Sequence, residues 1–417
     1  MDNLTRRRFL TMSGVTAAGA LAVGATRVDW SDLMTAAVDD PLDAGDAVLV
    51  VVTLYGGNDG LNTVVPAADR AYQDARPDLA YQPDEVLDLG EGLGLNPGLK
   101  GLKELWDDES LAIVRGVGYP KPDRSHFRSM AIWQTAAPEG AVSTGWLGRW
   151  LDAAGGDPLL AVSVEPTLPP LLAGATAAAA SMPVGGLKLP GGRLGSAFAA
   201  LGTPAAGEER WRAEVARSVA DLHSAVRVLG GAMHEQPDQQ DEEQDEERTK
   251  GASAGGSSQL ARQLDLVAGL VEAGVPTRAY SVSLGGFDTH ADERGTQQRL
   301  LTELDTALSG FVRRMRTSDR GQQVVVLVYS EFGRRVHANG SDGTDHGTAG
   351  PMFLIGDRVG GGFHGQQPSL TDLADGDLKA TTDFRDVYAA VLGDVLGAEP
   401  ERVLDGHTGR LDGLIRA

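Results

Sequence analysis

The chain has 417 residues, of which 41% are apolar and 23% are charged, and this length suits one large α/β domain or two ordinary ones. The composition excludes a wholly disordered chain, a fibrous repeat and a polytopic membrane protein. The net charge of −21 disfavours a nucleic-acid binder, because a negative field repels phosphate backbones. The chain has no cysteine, so any metal must bind to His, Asp or Glu.

The first 25 residues resemble a secretory signal of the twin-arginine type. The paired arginines Arg6 and Arg7 precede Phe9 and a stretch rich in Gly, Ala and Val that ends at Ala25. A transmembrane anchor is the alternative, but the stretch is too short and too rich in small residues to span a membrane well. We therefore expect the twin-arginine translocase to export the chain to the periplasm, cell wall or extracellular space. Cleavage near Ala25 would leave no stable membrane span.

The remaining chain alternates apolar runs with helical patterns. Short apolar runs, many of them β-branched, predict buried strands at 47–55, 110–117, 159–164, 279–284, 323–329 and 351–355. Apolar residues at helical spacing predict helices at 211–229, 296–315 and 384–396. This alternation predicts an α/β fold, with a doubly wound, mostly parallel sheet and helices on both faces. Residues 26–417 are predicted to form one domain.

Residues 234–259 interrupt this pattern. The segment is acidic, then rich in Gly and Ser, and has no apolar periodicity. Such a segment buries too little apolar surface to offset its ordering entropy, which predicts a disordered surface insertion. Calcium binding is the alternative, but the spacing lacks an ordered ligand loop.

Polar residues follow the predicted strands, where open α/β sheets collect their ligands. They are Asn58 and Asp59 after the first strand, Ser125 after the second, Asp288 and His290 after the fourth, and Glu331, Arg334 and His346 after the fifth. Because the carboxyl ends of parallel strands meet at one edge of a sheet, we expect the carboxylates and imidazoles to converge there.

Each of these residues also has an ordinary structural explanation. Asp59 suits a turn, Ser125 suits a helix N-cap, and Asp288 could bond to His290 within its loop. Their coincidence at one predicted edge favours a metal site. Carboxylate and imidazole ligands suit zinc, manganese, magnesium or calcium, and two such ions about 4 Å apart can clamp a phosphoryl or sulfuryl group.

Five motifs, in order along the chain, resemble those of the DUF1501 family of exported bacterial proteins. They are Gly-Gly-Asn-Asp-Gly-Leu-Asn at 56–62, Arg-Ser-His-Phe at 124–127, Gly-Gly-Phe-Asp-Thr-His at 285–290, Ser-Glu-Phe-Gly-Arg at 330–334 and Asp-His-Gly-Thr-Ala-Gly-Pro at 345–351. That family is similar to the alkaline phosphatase and sulfatase superfamily. The resemblance implies an alkaline-phosphatase-like fold with a two-metal hydrolase site.

The resemblance also implies roles for the candidate residues. One metal would bind to Asp59 and Glu331, and the other to Asp288, His290 and His346. Ser125 would be the nucleophile, activated by metal, at a helix start that cradles the anion. We assign substrate binding to Asn58 and Arg334, although Arg334 could equally form an ion pair.

Two departures from the superfamily pattern leave alternatives open. Phe332 stands where the late Asp-His pair has its histidine, and Asp288 lies only two residues from His290. Either one metal is lost, Asp345 or His126 substitutes, or the site binds a harder ion. The leading hypothesis is an exported metal-dependent hydrolase acting on a small-molecule or envelope phosphate or sulfate ester. The alternatives are a non-catalytic exported binding protein with the same fold and an envelope phospho-group transferase.

Overall fold

A computed structural model describes residues 28, 30–165, 167–182 and 258–416. The predicted signal segment, the predicted helix at 211–229 and most of the predicted insertion lie outside these residues. Within them, no helix is long and apolar enough to cross a membrane.

Strands and helices alternate along the described chain. The strands are β1 (Val48–Leu54), β2 (Val64–Val65), β3 (Leu87–Gly90), β4 (Leu93–Leu95), β5 (Leu111–Gly118), β6 (Ala161–Ser163), β7 (Ala180–Ser181), β8 (Ala279–Leu284), β9 (Val324–Ser330), β10 (Gly350–Ile355), β11 (Gly362–His364), β12 (Leu373–Ala374), β13 (Asp377–Leu378) and β14 (Thr382–Asp383). The helices are α1 (Trp30–Asp39), α2 (Arg70–Ala75), α3 (Lys100–Asp107), α4 (His126–Thr135), α5 (Trp146–Ala153), α6 (Gln259–Ala273), α7 (Glu293–Met315), α8 (Phe384–Asp394) and α9 (Pro400–Val403).

A nine-stranded sheet forms the centre of the described structure. Its order is β11-β5-β10-β9-β1-β8-β6-β7, and β14 also pairs with β5. Only β10 runs antiparallel to its neighbours, β5 and β9; the other pairings in this sheet are parallel. Two small sheets, β2-β4-β3 and β12-β13, lie apart from it.

Helices cover both faces of the central sheet. On β1, Val50 and Val52 belong to one apolar cluster with residues of α3, α6 and α7, such as Leu304. The alternate residues Leu49 and Val51 belong to a second cluster with residues of α4, α5 and α8. A strand buried on both faces is continuously apolar, which is why residues 47–55 carry no polar alternation. The predicted mostly parallel sheet with helices on both faces is confirmed.

The structure corrects the predicted end of the insertion at residue 259. Gln259 is the first residue of α6, and the Ser258 side chain caps this helix by accepting a hydrogen bond from the backbone N–H of Ala261 at 3.1 Å. This cap is not recognisable in the sequence, because the segment is rich in Gly and Ser and serine occurs both in linkers and at helix N-termini.

The carboxyl ends of β1, β5, β8 and β9 lie at one edge of the sheet, since these strands are parallel. The segment before β10 reaches the same edge, because β10 runs in the opposite direction. This edge is where the polar motifs of the sequence meet.

A candidate metal centre at the carboxyl edge of the sheet

The turn after β1 is built from two glycines that lie close to other parts of the site. Gly56 has a φ of 116°, and a Cβ atom there would lie 2.5 Å from the backbone nitrogen of Asp288. Gly57 has a φ of 71°, and its Cβ would lie 2.2 Å from the ring of Phe332. Only glycine allows both the left-handed backbone and these approaches.

Glu331 follows β9 and joins this turn to α4. Its carboxylate is buried, and its Oε1 atom accepts hydrogen bonds from the backbone N–H of Gly56 at 2.9 Å and from His126 Nδ1 at 2.8 Å. Its Oε2 atom accepts from the Ser330 hydroxyl at 2.9 Å. The hydrogen bond to Glu331 raises the pKa of His126 above its ordinary value.

Asp288 lies at the centre of a group of three imidazoles. Its Oδ1 atom is 3.0 Å from His290 Nε2, 3.1 Å from His346 Nε2 and 3.4 Å from His126 Nε2. Arg334 Nη2 also donates to it at 2.8 Å. Partial burial alone would raise the pKa of Asp288, but the hydrogen bond and the positive charge of Arg334 lower it to about 2. The carboxylate is therefore ionised at neutral pH.

The other ring nitrogen of each imidazole faces a hydrogen-bond acceptor. His126 Nδ1 faces Glu331, His346 Nδ1 lies 2.8 Å from the backbone oxygen of Arg124, and His290 Nδ1 lies 3.3 Å from Asp345 Oδ1. Each acceptor favours the imidazole tautomer in which Nδ1 carries the proton. The three Nε2 atoms then point their lone pairs towards Asp288.

These donors fit a divalent cation. Among the described residues, one ligand atom each from His126, Asp288 and His346 lies within 4.8 Å of the others. His290 Nε2 is only 3.0 Å from His346 Nε2. When both rings carry their proton on Nδ1, neither Nε2 atom can donate a hydrogen bond to the other. His126 Nε2 is buried and has no hydrogen-bond partner. Three imidazoles and a carboxylate are ligands that zinc accepts, and oriented Nδ1 atoms are typical of metal-binding histidines.

The five residues predicted as ligands are thus not all placed together. Asp288, His290 and His346 meet in this cluster, and Glu331 contacts it through His126. Asp59 lies elsewhere: its side chain is fully buried, and both oxygens accept hydrogen bonds from the equally buried Arg76. The ligand role of Asp59 stays a prediction that this pairing does not support.

The Arg76 guanidinium and a proton on Glu293 balance the negative charge around Asp59. Burial alone would raise the pKa of Asp59, but Arg76 lowers it. Burial and the neighbouring Asp59 raise the pKa of Glu293 far above its usual range, so Glu293 is neutral at pH 7 and can donate to Asp59. Arg76 lies 17 residues after Asp59, outside the glycine motif, and no pattern in the sequence marks it as the partner of Asp59.

The two predicted substrate contacts lie inside the protein. Arg334 is fully buried, and besides Asp288 it donates to the backbone oxygens of Gly57 and Thr344. Asn58 is buried and accepts a hydrogen bond from Gln297 at 2.8 Å. Arg334 therefore positions Asp288 in this structure, and direct contact of either residue with a substrate stays a prediction.

Ser125 and His126 lie next to each other at the start of α4 but have different surroundings. Ser125 is the exposed N-cap residue of α4, and its side chain makes no capping hydrogen bond. His126 is the first residue of α4 and belongs to the cluster. It is one of the two alternatives, with Asp345, to the histidine whose place Phe332 takes. The centroid of the Phe332 ring lies 4.9 Å from the ring centroids of both His126 and His346.

Family membership follows from the match of one family model over most of the chain. The model described as "Protein of unknown function (DUF1501)" matches residues 117–416, which include all the residues of the cluster. The chain belongs to the DUF1501 family. The resemblance inferred from the five motifs is thereby confirmed. A search among curated proteins finds no match.

Three solved structures align with the chain at low identity. The structure of Ps i-CgsB in complex with k-i-k-neocarrahexaose aligns with a TM-score of 0.41 and 9% identity, over 88% of this chain and 75% of that chain. The zinc complex of the C-terminal periplasmic domain of EcEptC from Escherichia coli has a TM-score of 0.34 and 11% identity, over 75% and 74%. The phosphonate monoester hydrolase of Agrobacterium radiobacter has a TM-score of 0.34 and 12% identity, over 88% and 79%.

Proposed function

We propose that this protein is a metal-dependent hydrolase of phosphate or sulfate esters that is exported by the twin-arginine pathway before it acts. One observation carries the proposal: three imidazoles, each with an acceptor at Nδ1, direct Nε2 atoms to within 3.0–3.4 Å of Asp288 Oδ1. Imidazole and carboxylate donors at one point on a ligand-collecting sheet edge favour a catalytic ion over an ordinary surface ion pair.

The ion would be held by His126, Asp288, His290 and His346. When bound, a divalent ion polarises an oxygen of the ester and stabilises the charge that develops there. The residues around the ion would hold its ligands in place. Glu331 holds the His126 ring, the backbone oxygen of Arg124 holds His346, and Arg334 fixes one oxygen of Asp288. Such outer contacts commonly set metal affinity and ligand orientation.

Ser125 is the candidate nucleophile. Its hydroxyl is exposed and takes no part in helix capping, so it is available to attack a substrate. It precedes His126 directly, which keeps it close to the proposed ion. Ser125 lies at the N-terminus of α4, a helix of ten residues, and the positive end of the helix dipole there favours an anion.

The first experiment separates metal binding from catalysis. Zinc, manganese, magnesium and calcium would each be titrated into the metal-free full-length protein by calorimetry. We expect binding of at least one ion, lost in His346→Ala and retained in the control His337→Ala, which removes an exposed histidine outside the cluster. Equal binding by both variants would place the metal elsewhere.

The second experiment tests the reaction. The loaded protein would be assayed against chromogenic phosphate monoesters, phosphate diesters and sulfate esters. We expect turnover of one class, and Ser125→Ala should lower kcat by roughly three orders of magnitude with metal affinity unchanged. Near-normal turnover in that variant would assign the attack to water. Tight metal binding without turnover of any ester would favour the non-catalytic binding protein.

A further inference from the structure

A cavity of about 560 Å³ opens beside the histidine cluster. Its wall includes His126, Asp288 and Glu331 at the cluster and continues along the side of α4. Pockets of this volume accommodate small organic molecules. Because the cavity and the cluster share these three residues, whatever fills the cavity lies next to the proposed ion.

The middle of the cavity wall is apolar. Met130 and Ala131 of α4 face it from one side, and Leu168, Pro169 and Pro170 contribute from the segment after β6. Among the described residues that line the cavity there is no lysine or arginine. A saccharide would lose the hydration of several hydroxyl groups against such a wall, and a second anionic group would meet no positive charge.

One other part of the wall is polar. Glu165 is only 4% exposed, and its Oε1 atom accepts a hydrogen bond from the Ser281 hydroxyl at 2.5 Å. Nearby, Gln134 Nε2 donates to the Tyr55 hydroxyl at 3.3 Å. Burial raises the pKa of both Glu165 and Tyr55, which favours their neutral forms. This part of the wall can pair with one hydroxyl or carbonyl group.

We propose that this cavity binds the organic group of the ester, and that the substrate is the ester of an apolar alcohol or phenol with one further hydrogen-bonding group. The inference rests on the proposed function for the bond that is broken, but the recognition of the apolar group can be tested without turnover. In the reaction, Ser125 Oγ would attack the phosphorus or sulfur centre and give up its proton, and the apolar alcohol would leave with a proton. Water would then release phosphate or sulfate and restore the serine.

The experiment measures binding of the free alcohol to the full-length protein. Binding of 2-naphthol and of glucose would be followed by calorimetry, with and without zinc. Ala131→Trp fills the cavity from its wall, and Ala153→Trp is the matched control on the exposed surface of α5. Thr167→Trp, at an exposed position of the cavity wall, is a second filling variant if Ala131→Trp does not fold.

We expect 2-naphthol, and not glucose, to bind to the wild type and the control, and to bind roughly ten-fold more weakly to the filled variants. Zinc affinity should be the same in all of them. Failure of 2-naphthol to bind, or equal binding by the filled variants, would overturn the proposal even if esters are hydrolysed. Binding of 2-naphthol without hydrolysis of any ester would support the cavity and overturn the hydrolase.

Discussion

The Nδ1 contacts of the three histidines decide which atoms of the cluster are available to a ligand. A neutral imidazole has one donor and one acceptor nitrogen, and an acceptor opposite Nδ1 leaves the lone pair on Nε2. Glu331 makes the strongest of these contacts, because it is ionisable, buried and only 2.8 Å from His126. Its second partner, the Gly56 N–H, holds the carboxylate in place.

The first prediction concerns this carboxylate. Glu331→Gln keeps the shape of the side chain but removes the charge that orients His126, so we expect metal affinity to fall by about 10- to 100-fold. Calorimetric titration of the metal-free protein measures this. Glu104→Gln, on the exposed surface of α3, is the control and should bind metal like the wild type. An unchanged affinity in Glu331→Gln would show that His126 is not a ligand.

The second prediction is a pH dependence that arises from Glu293. Its pKa is raised in the folded protein by burial and by Asp59, so the folded state holds a proton that the unfolded state releases above about pH 4.3. The free energy of unfolding should therefore fall as pH rises from about 5 towards the folded pKa. Glu293→Gln can still donate to Asp59 and accept from Thr344, and it should lose this fall.

Urea unfolding of both proteins at pH 5, 6.5 and 8 measures the difference. Other titrating groups are shared by the two proteins, so their effects cancel. We expect the variant to gain stability relative to the wild type at each step upward in pH. Parallel curves would mean that Glu293 is ionised in the folded protein.

The residues of the site differ in how far the sequence identifies them. Residue type and position after or before a strand identify Asp288, His290 and His346, and these three residues meet in space. Asp59 satisfies the same rule, yet it lies against Arg76. Position after a strand predicts the edge at which a side chain lies. It does not predict which neighbour neutralises the charge, because that neighbour lies outside the motif and only the fold brings it to Asp59.

At the scale of elements, the turn after β1 couples the strand to the cluster. A Cβ atom at Gly56 would lie within 2.9 Å of the backbone of Phe287 and Asp288, and the Gly56 N–H donates a hydrogen bond to Glu331. The third prediction is that Gly56→Ala lowers the free energy of unfolding by about 1 to 3 kcal/mol through backbone strain, and weakens metal binding because Asp288 must move. Gly45→Ala is the control, since a Cβ there meets nothing within 4 Å.

Urea midpoints and metal titrations of the two variants check this prediction. A Gly56→Ala protein with wild-type stability and metal affinity would show that the turn accepts a side chain and is not tightly coupled to Asp288.

The elements themselves were largely predictable. The run 279–284 coincides with β8, and the predicted strand at 323–329 lies one residue from β9. Burial on both faces produces continuous apolar runs that few other structures require. The antiparallel direction of β10 was not predictable, because hydrophobicity carries no information on strand direction. The predicted helix at 296–315 begins at Glu293 instead, since the first turn of α7 has no apolar residue to extend the pattern.

At the scale of the whole molecule, the charge of −21 opposes the approach of an anionic ester. The fourth prediction follows: for a phosphate or sulfate ester, kcat/KM should increase as salt rises from low concentration to about 0.15 M, because salt screens like-charge repulsion over a Debye length of about 8 Å. Binding of uncharged 2-naphthol is the control and should show no comparable increase over this range of salt. A decrease with salt would indicate a positive field around the site.

The last prediction concerns the stability of the whole fold. The proposed ligands come from three separate segments, at the start of α4, after β8 and before β10, so that an ion bound to them links parts of the chain that are far apart in sequence. An ion that binds the folded state alone stabilises it by about 2.7 kcal/mol at a free concentration 100 times its Kd. Urea unfolding with zinc, and again after chelation, measures this gain. His346→Ala should gain much less, because it lacks one ligand. If the variant gains as much as the wild type, the ion stabilises the protein from another site.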